Sequence, residues 1–132
     1  MTAMREIKFR GFNGEKWLYG DLAIDYKTKQ ATISDDRWWR HPVRFDTVGQ
    51  FTGLMDADGR EIYEGDVIRS DFLQHMRTDV CNGHVVYENG AFYVEYIDHT
   101  YANLGDLIFY SGTSTSVIGN VYDNPDLLEA TE

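Results

Sequence analysis

Hydrophobic and polar positions alternate along most of this chain with the period of two that marks a half-buried strand. Ile7 and Phe9 alternate with Glu6, Lys8 and Arg10, and Asn13-Gly14 then supplies turn chemistry before Trp17, Leu18 and Tyr19 return. Gly20-Asp21 interrupts this second strand as a bulge or bend. Leu22, Ile24 and Tyr26 alternate with Ala23 and Asp25, and a polar turn at Lys27-Thr28-Lys29 leads into a short strand at Ala31-Thr32-Ile33. Residues 34–47 are irregular. Pro42 lacks a backbone donor and biases His41 to an extended conformation, so this part reads as a loop or an edge segment.

The most patterned stretch is Val48 to Ile68, VGQFTGLMDADGREIYEGDVI. It predicts extended pieces joined by turns at Gly53 and Asp58-Gly59, with a further strand opening at Glu64-Gly65-Asp66-Val67-Ile68 and running to Ser70. Residues 71–83 form a polar connection. His84–Tyr87 and Phe92–Ile97 flank Glu88-Asn89-Gly90, the clearest hairpin in the chain, because Asn-Gly suits a two-residue type I′ loop. Tyr101, Leu104, Leu107 and Ile108 fall at helical spacing, which predicts a short helix despite Gly105. A loop at residues 111–114, a last strand over Val117–Tyr122 and a helical turn from Asn124 to Leu128 complete the series.

These elements predict one mostly-β domain over residues 1–132 with at most one or two short helices. Residues 1–47 would form an N-terminal β-hairpin region and residues 48–132 a C-terminal SH3-like small barrel. Gly65, Gly83, Gly90 and Gly119 would stand at its corners or bends.

Composition narrows the function classes. The 132 residues are 42% hydrophobic and 14% aromatic, enough for a packed core. Acidic residues outnumber Lys and Arg 22 to 12, and the formal charge of −10 argues against general nucleic-acid binding, which depends on neutralising phosphates. A single cysteine leaves no internal disulfide and suits a reducing, cytoplasmic setting. No apolar run approaches ~20 residues and the N-terminus lacks a signal-peptide core, so neither a membrane span nor export is expected.

The candidate chemistry is thin. Asp56-Ala57-Asp58-Gly59 resembles part of a calcium loop, but setting Gly59 at loop position 6 puts Leu54 and Gly65 at the liganding positions 1 and 12, so it reads as a turn. His75, Cys81 and His84, with Asp79 or His99 as a fourth donor, match no paired zinc spacing, and Cys81 reads as an ordinary thiol. Neither a metal nor another cofactor is expected. Glu61, Glu64 and Asp66 form an acidic cluster in which residues 64 and 66 would share one strand face, the arrangement a metal-dependent hydrolase uses. No phosphate loop, dinucleotide glycine motif or nucleophile elbow is present. Arg37-Trp38-Trp39-Arg40 looks most like a binding device, able to stack bases or to anchor a protein interface. The plainer reading has its tryptophans packing over the end of the core or against a second copy. Gln50, Thr52 and Glu64 are further contact candidates in the central stretch.

Several of these segments together resemble the YopX family of small phage and prophage proteins. They are Arg5–Gly11, Trp17–Leu22, Val48–Leu54, Asp58–Val67 and Ile118–Leu128, so the resemblance runs nearly end to end. Phe51 stands where tyrosine is usual and Asp46 where glutamate is usual, and residues 25–45 and 69–82 carry no family motif. The resemblance implies a phage or prophage origin and a C-terminal SH3-like barrel. It implies no reaction and no catalytic residues. The leading expectation is therefore a non-enzymatic interaction module that self-associates or binds a phage or host protein. Alternatives are a metal-dependent hydrolase, a single-strand nucleic-acid binder using the Arg/Trp loop, and an acidic nucleic-acid mimic.

Overall fold

A computed structural model describes residues 5–70, 81–111 and 114–128, the side chains of Cys81 and Ser111 excepted. The chain divides into two compact units, Met1–Gly53 and Leu54–Glu132.

The first unit is an antiparallel sheet of β1 (Phe9–Phe12), β2 (Trp17–Asp25), β3 (Gln30–Ser34), β4 (Arg40–Val43) and β5 (Gly49–Met55), paired in the order β4-β3-β2-β1-β5. The Asn13-Gly14 hairpin forms as predicted, with the Asn13 side-chain oxygen accepting from the Glu15 and Lys16 amides at 2.8 and 2.9 Å. Gly20 does not break β2. It marks where the strand changes partner, since residues 17–20 pair with β1 and residues 21–25 with β3. A Cβ at Gly20 would lie 2.0 Å from the Ser34 carbonyl oxygen, and its φ is +155°, so only glycine fits this crossing.

Ile7, expected to be half-buried, lies before β1 and is 52% exposed. The inward position goes instead to Arg10, which is buried with its guanidinium carbon 4.7 Å from the Trp17 ring centroid. Ala31, Ile33 and Phe51 are buried with it. Pro42 sits on β4, the last strand in the pairing order, where a missing N–H costs no ladder bond. A 3₁₀ turn at Phe45–Thr47 follows, and Thr47 ties it to β1 by accepting from the Phe12 amide at 2.9 Å while donating to the Arg44 carbonyl at 2.7 Å.

β5 runs through Gly53 without the predicted turn; the residue takes φ +86° within the strand. The second unit then holds β6 (Glu61–Tyr63), β7 (Asp66–Ser70), β8 (Cys81–Glu88), β9 (Ala91–Tyr96), β10 (Tyr101–Asn103), α1 (Leu104–Ser111), β11 (Thr115–Asn120) and a 3₁₀ turn at Pro125–Leu128. Asp56 organises the turn before β6. Its Oδ1 accepts from the amides of Asp58 and Arg60 at 2.9 and 2.8 Å, and its Oδ2 accepts from the Val117 amide of β11 at 2.9 Å. The calcium-like segment is thus a turn, and it is also an anchor to a distant strand.

Asn89 and Gly90 adopt φ of +51° and +83°, the two positive values a type I′ turn requires, and Glu88 faces Ala91. The sheet order is β10-β9-β8-β7-β11. Mostly-β architecture with one short α-helix and two 3₁₀ turns is therefore present among the described residues. Barrel closure is not: β10 and β11 end the order unpaired with each other. Leu104 and Leu107 of α1, with Ile62 of β6, pack instead on Ile68, Val85, Val94 and Tyr96, covering apolar side chains that a closed barrel would bury internally. Of the four expected corner glycines, Gly65 and Gly90 lie in turns and Gly119 at a register shift in β11, whereas Gly83 is within β8. The last strand lies two residues earlier than predicted, and Tyr101 belongs to β10 rather than to the helix. Of the polar connection expected at 71–83, residues 81–83 belong instead to β8, and residues 71–80 lie outside the described residues. Among those described, no helix is long and apolar enough to cross a membrane.

Candidate functional site

The β3–β4 hairpin ends in a loop wound around one carboxylate. Asp35 Oδ1 accepts from the amides of Arg37 and Trp39 at 2.9 and 3.1 Å, and Oδ2 lies 2.9 Å from His41 Nε2. Backbone bonds from Asp35 N to Trp39 O and from Trp38 N to Asp35 O, both 3.0 Å, close the same loop. The His41 hydrogen bond, together with the Trp39 and Arg37 amides, holds the Asp35 carboxyl below its ordinary pKa against an opposing push from burial. These contacts keep Trp38 at φ +67°, a conformation that costs a bulky residue about 1–2 kcal/mol.

Such strain persists only where surrounding bonds fix it. Here they hold two indoles out in solvent, Trp38 79% and Trp39 68% exposed, between the exposed Arg37 and Arg40. The tryptophans do not cover the end of their own chain's core. A groove of about 320 Å³ adjoins the loop, walled by Lys16, Leu18, Tyr19, Ile33, Asp35 and His41.

The other contact candidates are not gathered here. Gln50 and Thr52 are partly buried on β5, four places from β4 in the pairing order, and alternate with the buried Gly49 and Phe51. Glu64 lies in the turn between β6 and β7. That turn also disperses the acidic cluster, because residues 64 and 66 do not share a strand. Asp66 is buried and accepts from the Tyr63 amide at 2.7 Å, while Glu61 accepts from the Tyr63 hydroxyl at 3.3 Å.

Of the soft-ligand candidates, His75 and Asp79 lie outside the described residues, as does the Cys81 side chain. His84 and His99 do converge, on a residue the sequence reading missed. Glu95 of β9 faces His84 across the ladder, with Oε1 3.5 Å from His84 Nε2 and Oε2 3.4 Å from His99 Nδ1. The Tyr101 hydroxyl donates to Oε2 at 2.9 Å. That bond, with smaller help from His99 and His84 against burial, lowers the Glu95 pKa, and the same bond raises that of Tyr101. A signal for Glu95 was available, since a two-residue loop at Asn89-Gly90 sets the register that places His84 opposite it. The three residues wall a groove of about 170 Å³ completed by Tyr96, Ile97 and Leu128. Among the described residues, no group of three or more His, Cys, Asp or Glu side chains is arranged to hold a metal ion.

Charge is segregated between the units. Residues 1–53 hold nine Lys and Arg against seven Asp and Glu, whereas residues 54–132 hold three against fifteen. The Arg/Trp tip belongs to the basic unit and the Glu95 groove to the acidic one.

A family model described as YopX protein matches residues 8–129. The chain belongs to the YopX family. Among solved structures it is similar to the crystal structure of protein EF1440 from Enterococcus faecalis, at 21% identity and a TM-score of 0.58, covering 96% of this chain and 100% of that one. That likeness concerns the fold alone. A search of curated proteins finds no match.

Proposed function

We propose that this YopX-family chain is a phage- or prophage-encoded interaction module of the bacterial cytoplasm, non-enzymatic, that self-associates through Arg37-Trp38-Trp39-Arg40. The observation carrying this reading is the pair of adjacent tryptophans held exposed by the Asp35-centred loop. Tryptophan and arginine are the residues that most often dominate interface energies, and a loop fixed beforehand loses little entropy on binding. A second copy suits this tip because its guanidinium groups would meet a chain whose net charge is −10. Size-exclusion chromatography with light scattering tests the reading. The wild type is expected to form a dimer or larger species that Trp38→Ala with Trp39→Ala converts to monomer. A wild type that stays monomeric at millimolar concentration overturns it.

A second reading draws on the same residues. Guanidinium-flanked indoles in a unit whose own charge is slightly positive can stack single-stranded bases. Binding of a labelled oligonucleotide that weakens steeply with salt and is lost in the double tryptophan variant would favour this reading over self-association. The hydrolase alternative has weaker support, since Asp66 is occupied by the Tyr63 amide and Glu64 lies in a turn.

A further inference from the structure

We infer that the groove walled by His84, Glu95 and His99 receives the Arg37–Arg40 tip of a second copy of this chain, so that association is head-to-tail. The inference rests on the reading of the tip as the self-association element and names its acceptor.

Shape is the first ground. Cavities of about 150 Å³ with apolar walls take a benzene-sized ring, and the 170 Å³ groove has the apolar side chains of Ile97, 49% exposed, and Leu128 among its lining. Phe109 and Tyr110 on α1 are more exposed, at 80% and 70%, but they are not among the residues lining either groove.

Charge is the second ground. The tip carries two guanidinium groups, and the groove belongs to the unit with fifteen acids against three bases. Within the groove, the contacts of Glu95 with His84 and His99, at 3.5 and 3.4 Å, exceed the usual range for a good hydrogen bond. An arginine from outside can replace them with charge-assisted bonds of about 2.7–2.9 Å while an indole fills the apolar part. Tyr101 keeps its 2.9 Å bond to Oε2 and holds the carboxylate in place. Because tip and groove are different surfaces, this contact is heterologous and builds a ring or an open chain rather than a self-complementary pair.

The test uses four full-length proteins in size-exclusion chromatography with light scattering: wild type, the tip variant Trp38→Ala with Trp39→Ala, the groove variant Glu95→Arg, and Phe109→Ser with Tyr110→Ser. Circular dichroism confirms folding, and Ile97→Arg, at a half-exposed position, replaces Glu95→Arg should that variant unfold. The tip and groove variants are each expected to raise the apparent Kd at least tenfold. Mixed one to one, they should form a heterodimer and nothing larger, because one intact tip and one intact groove remain. A groove variant that associates like wild type while the tip variant does not overturns the acceptor and leaves the tip reading standing. Loss of association only in the Phe109/Tyr110 variant overturns both assignments. A monomeric wild type removes the reading on which the inference rests.

Discussion

Two aspartates show how a short-range signal can hide a long-range role. Asp56 was legible as a turn residue from the Asp-Ala-Asp-Gly pattern, but its bond to the Val117 amide spans 61 positions and leaves no local trace. Burial alone would raise its pKa; the Val117, Arg60 and Asp58 amides, with the Arg60 charge, outweigh that and hold it below the ordinary carboxylate value. Asp56→Ala leaves three amides without their acceptor and should destabilise the fold by about 2–4 kcal/mol, read from urea unfolding. The pH dependence has a defined sign. A carboxyl whose folded pKa is lowered contributes fully above its unfolded pKa, and that contribution disappears as pH falls through the lowered folded value. The stability gap between wild type and Asp56→Asn should therefore be full at pH 7 and shrink below about pH 4. A gap independent of pH would show that charge is not what the three amides recognise. Asp35 acts in the same way on the tip. Asp35→Ala should lower the amide order parameters of Trp38 and Trp39 and weaken self-association while the rest of β3 and β4 keeps its chemical shifts.

Hairpins were legible because their chemistry is local. Asn13-Gly14 and Asn89-Gly90 announce their turns in two residues, and the second also fixes the register that brings His84 to Glu95. The barrel was not legible in the same way, because closure depends on which distant strands pair. Nothing within 101–110 reveals that Leu104 and Leu107 cover the sheet. Gly20 falls between these cases. Its interruption of the pattern was visible, but its cause, the Ser34 carbonyl and the exchange of partner strands, lies across β3. Two glycine substitutions separate the effects. Gly90→Ala meets no atom within 4 Å and incurs only the positive-φ penalty, about 1 kcal/mol. Gly20→Ala drives a Cβ against backbone and should cost more than about 2 kcal/mol, with faster hydrogen exchange along β2 and β3. Equal costs in denaturant titrations would mean that β3 shifts freely and the crossing is not fixed.

At the scale of the molecule, a net charge of −10 conceals an uneven division. Counted whole, it argues against general nucleic-acid binding. Divided at Gly53, it leaves a slightly basic unit carrying the Arg/Trp tip and an acidic unit with fifteen carboxylates against three bases. The expected division at residue 48 gives the same counts, because residues 48–53 carry no charged side chain. This division predicts how association responds to salt. Screening shortens the Debye length from about 10 Å at 0.1 M to about 3 Å at 1 M, which weakens attraction between a basic tip and an acidic unit on another copy. Contact between tryptophans alone would hold or strengthen over that range, because burial of apolar surface does not depend on screened charge. Sedimentation velocity across this salt range should therefore show progressive dissociation of the wild type. Arg37→Gln with Arg40→Gln should associate more weakly at low salt and show a flatter salt response. Association that strengthens with salt in both proteins would assign the interface to the indoles alone and leave the charge division without a part in assembly.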